Sequence, residues 1–306
     1  YADLLRRAAG RPVTVRTLDV GGDKPLPGIS LPEESNPFLG LRGLRLCLDR
    51  PELFRPQVRA LLRAAVGRPL KVMLPMVATA AELAEARAVF ESCLAELAGE
   101  GLPAAMPPLG IMVETPAAAV AVDLIPADFF SIGSNDLTQL TLGLDRDSAL
   151  VAHIYDERNE AVKGMLRMLI TSAKKTKTKV GICGQGPSDF PDFAQFLVEL
   201  GIDSISVTPD SLLKTKRAIA EVEKAMATKQ RAKAKLAGLK VGVGYPDQWR
   251  DYSALDVRRD DALGNAQRAS RFEYQRNLAK LGQSIDRGEW FMTPQTVNAL
   301  NVPLEN

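Results

Sequence analysis

Six short apolar runs, spaced by helix-forming stretches, constrain this chain more than any other feature. They are 13–19 (Val-Thr-Val-Arg-Thr-Leu-Asp), 71–77, 108–114, 128–134, 179–185 and 204–209. Helical periodicity is expected over 51–66, 80–99, a short stretch opened by Pro116, 159–176, 191–200 and 211–226. Proline at a helix start supports the third of these. Strands alternating with helices predict a parallel sheet covered by helices. An open, doubly wound sheet satisfies the same pattern. The α/β fold expected here is a (β/α)8 TIM-type barrel, because candidate functional residues stand at the C-terminal ends of at least four strands. These are Arg16 with Asp19, Glu114, Asn135 with Asp136, and Cys183 with Gln185. An open sheet tends to gather its site at one crevice instead.

Only six of eight barrel strands are predicted, and the chain starts at Tyr1 inside a helical stretch, so the barrel is expected to be incomplete at its N-terminus. The alternation stops near residue 227. A boundary is placed there, with a barrel over 1–227 and a polar, helical C-terminal extension over 228–306. That extension opens with the basic run 229–235 and holds both tryptophans, Trp249 and Trp290. The run has no interleaved aromatics and reads as a solvated helix or linker, not a nucleic-acid surface.

Charge and composition remove several classes of function. A net charge of +2 makes no case for nucleic acid. No apolar run is long enough for a membrane span, and no signal peptide is visible. Three widely spaced cysteines, Cys47, Cys93 and Cys183, fit a reducing cytoplasm and not a disulfide framework. A single histidine, His153, excludes a site built from two imidazoles of this chain.

The runs 110–116 and 128–136 each end abruptly in acid or amide residues, Glu114 in one and Asn135-Asp136 in the other. Hard cations such as Mg²⁺ take one or two protein carboxylates plus substrate oxygens, and two carboxylates at neighbouring strand ends meet that need. Capping of the following helices is the alternative, which spacing alone leaves open. Arg16 lies within a strand, where a buried cation needs a partner. Arg42, Arg45 and Arg146 offer the bidentate fork suited to phosphate or carboxylate. For Arg42 and Arg45 a solvated helix face is the better reading from spacing. Cys183 sits between glycines at a strand end, as either a proton-transfer thiol in a cleft or a small buried hydrophobe. Cys47, Cys93 and His153 read as structural.

Four motifs then occur in order: Arg16-Thr-Leu-Asp-Val-Gly-Gly-Asp-Lys24, Glu34-Ser-Asn-Pro-Phe-Leu-Gly-Leu-Arg-Gly-Leu-Arg45, Gly110-Ile-Met-Val-Glu-Thr-Pro-Ala-Ala118 and Asp128-Phe-Phe-Ser-Ile-Gly-Ser-Asn-Asp-Leu-Thr-Gln139. Over 1–136 they resemble the phosphoenolpyruvate-binding barrel of Enzyme I of the bacterial sugar phosphotransferase system. Over 137–222 the chain is more similar to phosphoenolpyruvate synthase, through Val151-Ala-His-Ile-Tyr-Asp-Glu-Arg-Asn-Glu-Ala-Val162 and Gly181-Ile-Cys-Gly-Gln-Gly-Pro-Ser-Asp189. Over 235–306 it resembles a fragment of neprilysin-type zinc endopeptidases, with Asn298 and Ala299 at cleft-lining positions. That family's His-Glu-x-x-His motif is absent, so no peptidase activity is expected, and the chain reads as a chimera.

The resemblance implies a function. Glu114 and Asp136 would hold Mg²⁺. Arg16, Arg42 and Arg146 would clamp phosphoenolpyruvate, with Asn135 on the phosphoryl group. Cys183 would protonate the enolate carbon as pyruvate forms. It also implies a homodimer, and a phosphohistidine domain that is missing from this chain. A non-catalytic hybrid is the alternative.

Overall fold

The computed structural model describes residues 1–21, 32–237, 241–243 and 250–252, with side chains through residue 228. Six strands form one parallel sheet: β1 (Val13–Arg16), β2 (Leu70–Leu74), β3 (Leu109–Val113), β4 (Phe130–Gly133), β5 (Val180–Cys183) and β6 (Ser204–Ile205). Their order in space is their order in sequence, and each pairs with the next. A doubly wound sheet reverses direction at a switch point. This sheet never does.

The crossovers follow from local sequence. The chain opens with α1 (Ala2–Arg7); α2 (Leu44–Asp49) and α3 (Pro51–Ala64) precede β2. The helix α4 (Ala80–Gly99) begins with a capping box, in which the Thr79 side chain accepts from the Glu82 amide and Glu82 reaches back to the Thr79 amide. Pro116 and a Thr115 cap start α5 (Pro116–Val120). Beyond β4 come α6 (Ser134–Leu142), ended by left-handed Gly143, and α7 (Glu160–Lys175), capped by Asn159. Then α8 (Gly186–Asp189) and α9 (Pro191–Glu199) lead to β6.

Strand alternation divides the sheet into two faces. Val72, Leu74, Ile111, Val113, Ile132, Val180 and Ile182 are buried in the main core with helix residues such as Phe54, Phe90, Leu166 and Phe193. The other face carries Arg16, Met73, Met112, Ser131 and Cys183, and holds a separate small cluster of Met73, Met112, Phe129 and Cys183. The Arg16 guanidinium donates to the Met112 sulfur at 3.6 Å across β2, which lies between their strands. Six parallel strands in unreversed order form a sheet curled as a half-barrel.

By its internal packing the chain divides into two compact units, Tyr1–Glu223 and Lys224–Asn306. The helix α10 runs unbroken from Leu212 to Ala237, so the boundary expected near 228 falls within a helix. The run 229–235 is all Lys, Gln, Arg and Ala, good helix formers with no breaker among them. The extension is also not wholly helical: β7 (Val241–Val243) pairs antiparallel with β8 (Arg250–Tyr252). Trp249, Trp290, Asn298 and Ala299 lie outside the described residues. No helix among the described residues is long and apolar enough to cross a membrane.

Candidate functional site

A cavity of about 320 Å³ opens at the C-terminal ends of the strands, lined by residues of β1, β3, β4 and β5 and their following turns. Arg16, Asp19, Glu114, Asn135, Asp136, Arg146 and Cys183 all face it. Arg42 does not. It lies behind the wall, 1% exposed, the largest fully buried side chain among the described residues.

Arg42 corrects the reading of a solvated helix face. Its Nε donates to Asp19 Oδ1 at 3.3 Å and its Nη2 to Asp136 Oδ2 at 3.0 Å, and its guanidinium stacks 4.5 Å from the Phe38 ring centroid. One buried cation thus joins carboxylates from the ends of β1 and β4. The chain enters α2 at Gly43, whose φ of +59° favours glycine. A Cβ there would press on Met76 Cβ at 3.0 Å. Arg45, one turn on, pairs with Glu82 at the half-exposed surface.

Arg16 departs from expectation in the opposite sense. Its side chain is 44% exposed, 3.6 Å from Asp19 Oδ2, because β1 is an edge strand and Arg16 faces the cavity. Asp136 does not cap a helix. Gly133 occupies the cap of α6, and Asp136, in the first turn, is held by Arg42 and by the Arg146 guanidinium.

Glu114 is fully buried. Its Oε1 accepts the Met76 amide hydrogen at 2.6 Å. Met76 has a left-handed backbone, φ +56°, unusual for a side chain of its size and found where the surroundings enforce it. Burial, then the like charge of Asp136, push the Glu114 carboxyl up to about 7. A divalent cation between Glu114 and Asp136 would relieve that repulsion, and an all-oxygen pair suits a hard ion. Among the described residues no cluster of three or more His, Cys, Asp or Glu is arranged to hold a metal. The two carboxylates therefore fit an ion that also takes substrate oxygens.

Cys183 lies at the other side of the cavity. Burial raises its thiol pKa, and the Ser131 hydroxyl, donating to Sγ at 3.5 Å, works against that rise. Asn135 is fixed by its Oδ1, which accepts the Gln185 amide hydrogen at 3.0 Å. Cys47 and Cys93 are buried in α2 and α4. His153 is exposed on a short 3-10 turn and lines no part of the cavity. Sequence reasoning missed Met76, Phe38, Tyr155 and Glu157. None has a local signal, since each matters through a contact distant in sequence.

A parallel sheet wound in one direction, with arginines and carboxylates gathered at its strand ends, defines the class: a (β/α)-type α/β protein with charged side chains of both signs clustered at the C-terminal face. A family model described as "PEP-utilising enzyme, PEP-binding domain" matches residues 1–224, and the chain belongs to that family. It is similar to the phosphoenolpyruvate-protein phosphotransferase of Staphylococcus carnosus, 46% identical over 222 residues, covering 72% of this chain and 39% of the relative. The corresponding protein of Haloferax volcanii is 45% identical over 233 residues (74% and 41%), and that of Priestia megaterium 44% over 229 (74% and 40%). The chain spans about two fifths of the length of these relatives.

Proposed function

We propose that this chain carries the phosphoenolpyruvate site of a phosphotransferase that passes the phosphoryl group to a histidine on a separate domain. One observation carries the reading: two cavity-facing arginines, three buried carboxylates (Asp19, Glu114 and Asp136) and a protonated thiol share one cavity of substrate size. Arg16 and Arg146, both reaching into the cavity, take the phosphate and carboxylate by paired N–H donors. Arg42 serves the same anion clamp from behind, by fixing Asp136. Asn135 orients the phosphoryl group. Glu114 and Asp136 are the residues that would hold Mg²⁺, which when bound supplies positive charge to the phosphoryl and enolate oxygens.

Cys183 completes the chemistry. As the P–O bond breaks and the P–N bond to the acceptor forms, the enolate carbon takes the proton from Sγ. Pyruvate and a thiolate result, and the thiolate is reprotonated from water. Burial favours the protonated thiol, the form this step needs. Calorimetric titration with phosphoenolpyruvate and Mg²⁺ tests the site. Binding is expected, and Glu114→Ala should weaken it at least about tenfold; unchanged binding in that variant would sink the assignment.

The resemblance of 137–222 to phosphoenolpyruvate synthase enters as part of this reading, since both families share the site. Cytoplasmic location and a homodimer also belong to it. A second reading, a hybrid without activity of its own, is favoured by the second compact unit, which begins at Lys224 where the family match stops. The same titration separates the two.

A further inference from the structure

The segment between α6 and α7 carries one buried and one half-buried side chain, Glu157 and Tyr155, that the proposed chemistry does not use. Along it, Asp156 and Arg158 point outward and pair with each other at 3.1 Å, with Arg158 stacked 3.9 Å from the Phe190 ring centroid. Tyr155 and Glu157, on the alternate positions, point beneath the site. The Tyr155 hydroxyl donates to the Asn135 carbonyl at 3.3 Å. The Glu157 carboxylate, 3% exposed, lies against the Ser134 hydroxyl and the Gly186 backbone. Ser134 precedes Asn135, and its hydroxyl also reaches the Cys183 carbonyl at 3.4 Å. Gly186 follows the Cys183-Gly184-Gln185 turn. A Cβ at Gly186 would fall 2.6 Å from Glu157 Oε2, so glycine there is what allows the carboxylate its approach.

Neither Tyr155 nor Glu157 lines the cavity. Glu157 makes no ion pair among the described residues, and its Oε1 has no hydrogen-bond partner among them. Burial accordingly raises its carboxyl pKa. A buried, half-satisfied carboxylate is a poor choice for stability alone. Such residues are tolerated where they hold a site in shape.

We propose that Tyr155 and Glu157 form a brace beneath the site, tying the Asn135 turn after β4 to the Cys183 turn after β5, with Glu157 a positioning residue for proton transfer at Cys183. This rests on the proposed function for its consequence, though not for its geometry.

The test uses the full chain and two readouts. The first is alkylation of Cys183 by iodoacetamide under native conditions, where Cys47 and Cys93 are shielded. The second is exchange of pyruvate methyl protons with deuterated solvent in the presence of Mg²⁺. Glu157→Leu keeps the volume and removes the acceptor. It is expected to change the alkylation rate at least about fivefold and slow exchange at least about tenfold, with phosphoenolpyruvate affinity within about twofold of the parent. Glu157→Gln, which retains an acceptor oxygen, should restore both readouts to within about threefold. Should the leucine variant fail to fold, Tyr155→Phe, one oxygen smaller, is expected to move both readouts in the same directions.

Parental alkylation and exchange in Glu157→Leu would overturn the brace. So would a parallel loss of affinity, exchange and melting temperature, since that marks a merely structural residue. If the parent chain itself exchanges no pyruvate protons, the role given to Cys183 fails, and the alkylation arm alone decides the brace.

Discussion

The cavity has two halves that are built by different physics. The half at the ends of β1 and β3 and the start of α6 is ionic: Asp19, Asp136, Glu114 and the guanidinium groups of Arg16, Arg42 and Arg146 crowd together. The half between β4 and β5 is close to neutral, with Cys183 held by one hydroxyl and Asn135 by one amide. In the first, position is set by charge pairs whose loss leaves ions stranded. In the second, it is set by single hydrogen bonds, each worth about 1 kcal/mol. The ionic half should therefore fail through folding, and the neutral half through reactivity.

Arg42→Ala should do the most damage. It leaves Asp19 and Asp136 buried beside a void, and breaking a buried pair typically costs about 3–5 kcal/mol. Urea denaturation reads this directly, and a loss below about 1 kcal/mol would erase the distinction between the halves.

Glu114→Gln comes next, and its effect depends on pH. The Glu114 carboxyl sits at about 7 in the folded chain, above its ordinary 4.5. Between those values the folded state binds more protons than the unfolded state, so wild-type stability falls as pH rises from 4.5 to 7. The contribution is about 3 kcal/mol at most. The amide variant lacks this slope and should gain on wild type from pH 4.5 to 8 in urea midpoint. Parallel profiles would show that burial does not perturb Glu114.

On the neutral side, Ser131→Ala removes a hydrogen bond that lowers the Cys183 pKa. Iodoacetamide alkylation should move to higher pH and slow roughly fivefold at neutral pH, with little change in stability. Equal loss of folding and reactivity would contradict the division. The smallest effect is expected for Arg45→Ala, at or below about 1 kcal/mol, because its pair with Glu82 is solvated. Two arginines three residues apart then differ severalfold by environment alone.

That pair also marks where the sequence is readable. The six strands are legible because each is a continuous apolar run between helix signals, as in Leu109-Gly-Ile-Met-Val113. The helices α3, α4, α7 and α9 are legible by periodicity, and α4 by its capping box. By contrast α6 is not among the helices expected from periodicity, because Ser134-Asn-Asp-Leu-Thr-Gln139 is polar, although five of its residues are buried in the structure. Site residues at strand ends could be nominated, since alternation and abrupt polarity mark them. Burial of Arg42 could not, because its partner Asp136 is 94 residues away. Glu157 was hidden for the same reason, inside an Asp-Glu-Arg-Asn run that resembles a solvated turn.

The unreversed strand order carries a consequence for how the site is assembled. No strand of the sheet waits for a partner further along the chain than its immediate successor. Pairing can grow outward one βα step at a time, keeping loop-closure entropy modest at every stage. Arg42 breaks that locality furthest, beyond the contact of Arg16 with Met112 across β2. Its bond to Asp136 links the first βα step of the sequence to the fourth, so the ionic centre forms only after the intervening strands are in place. It should act as a late lock on the fold, with Arg42→Ala accelerating unfolding far more than it slows folding.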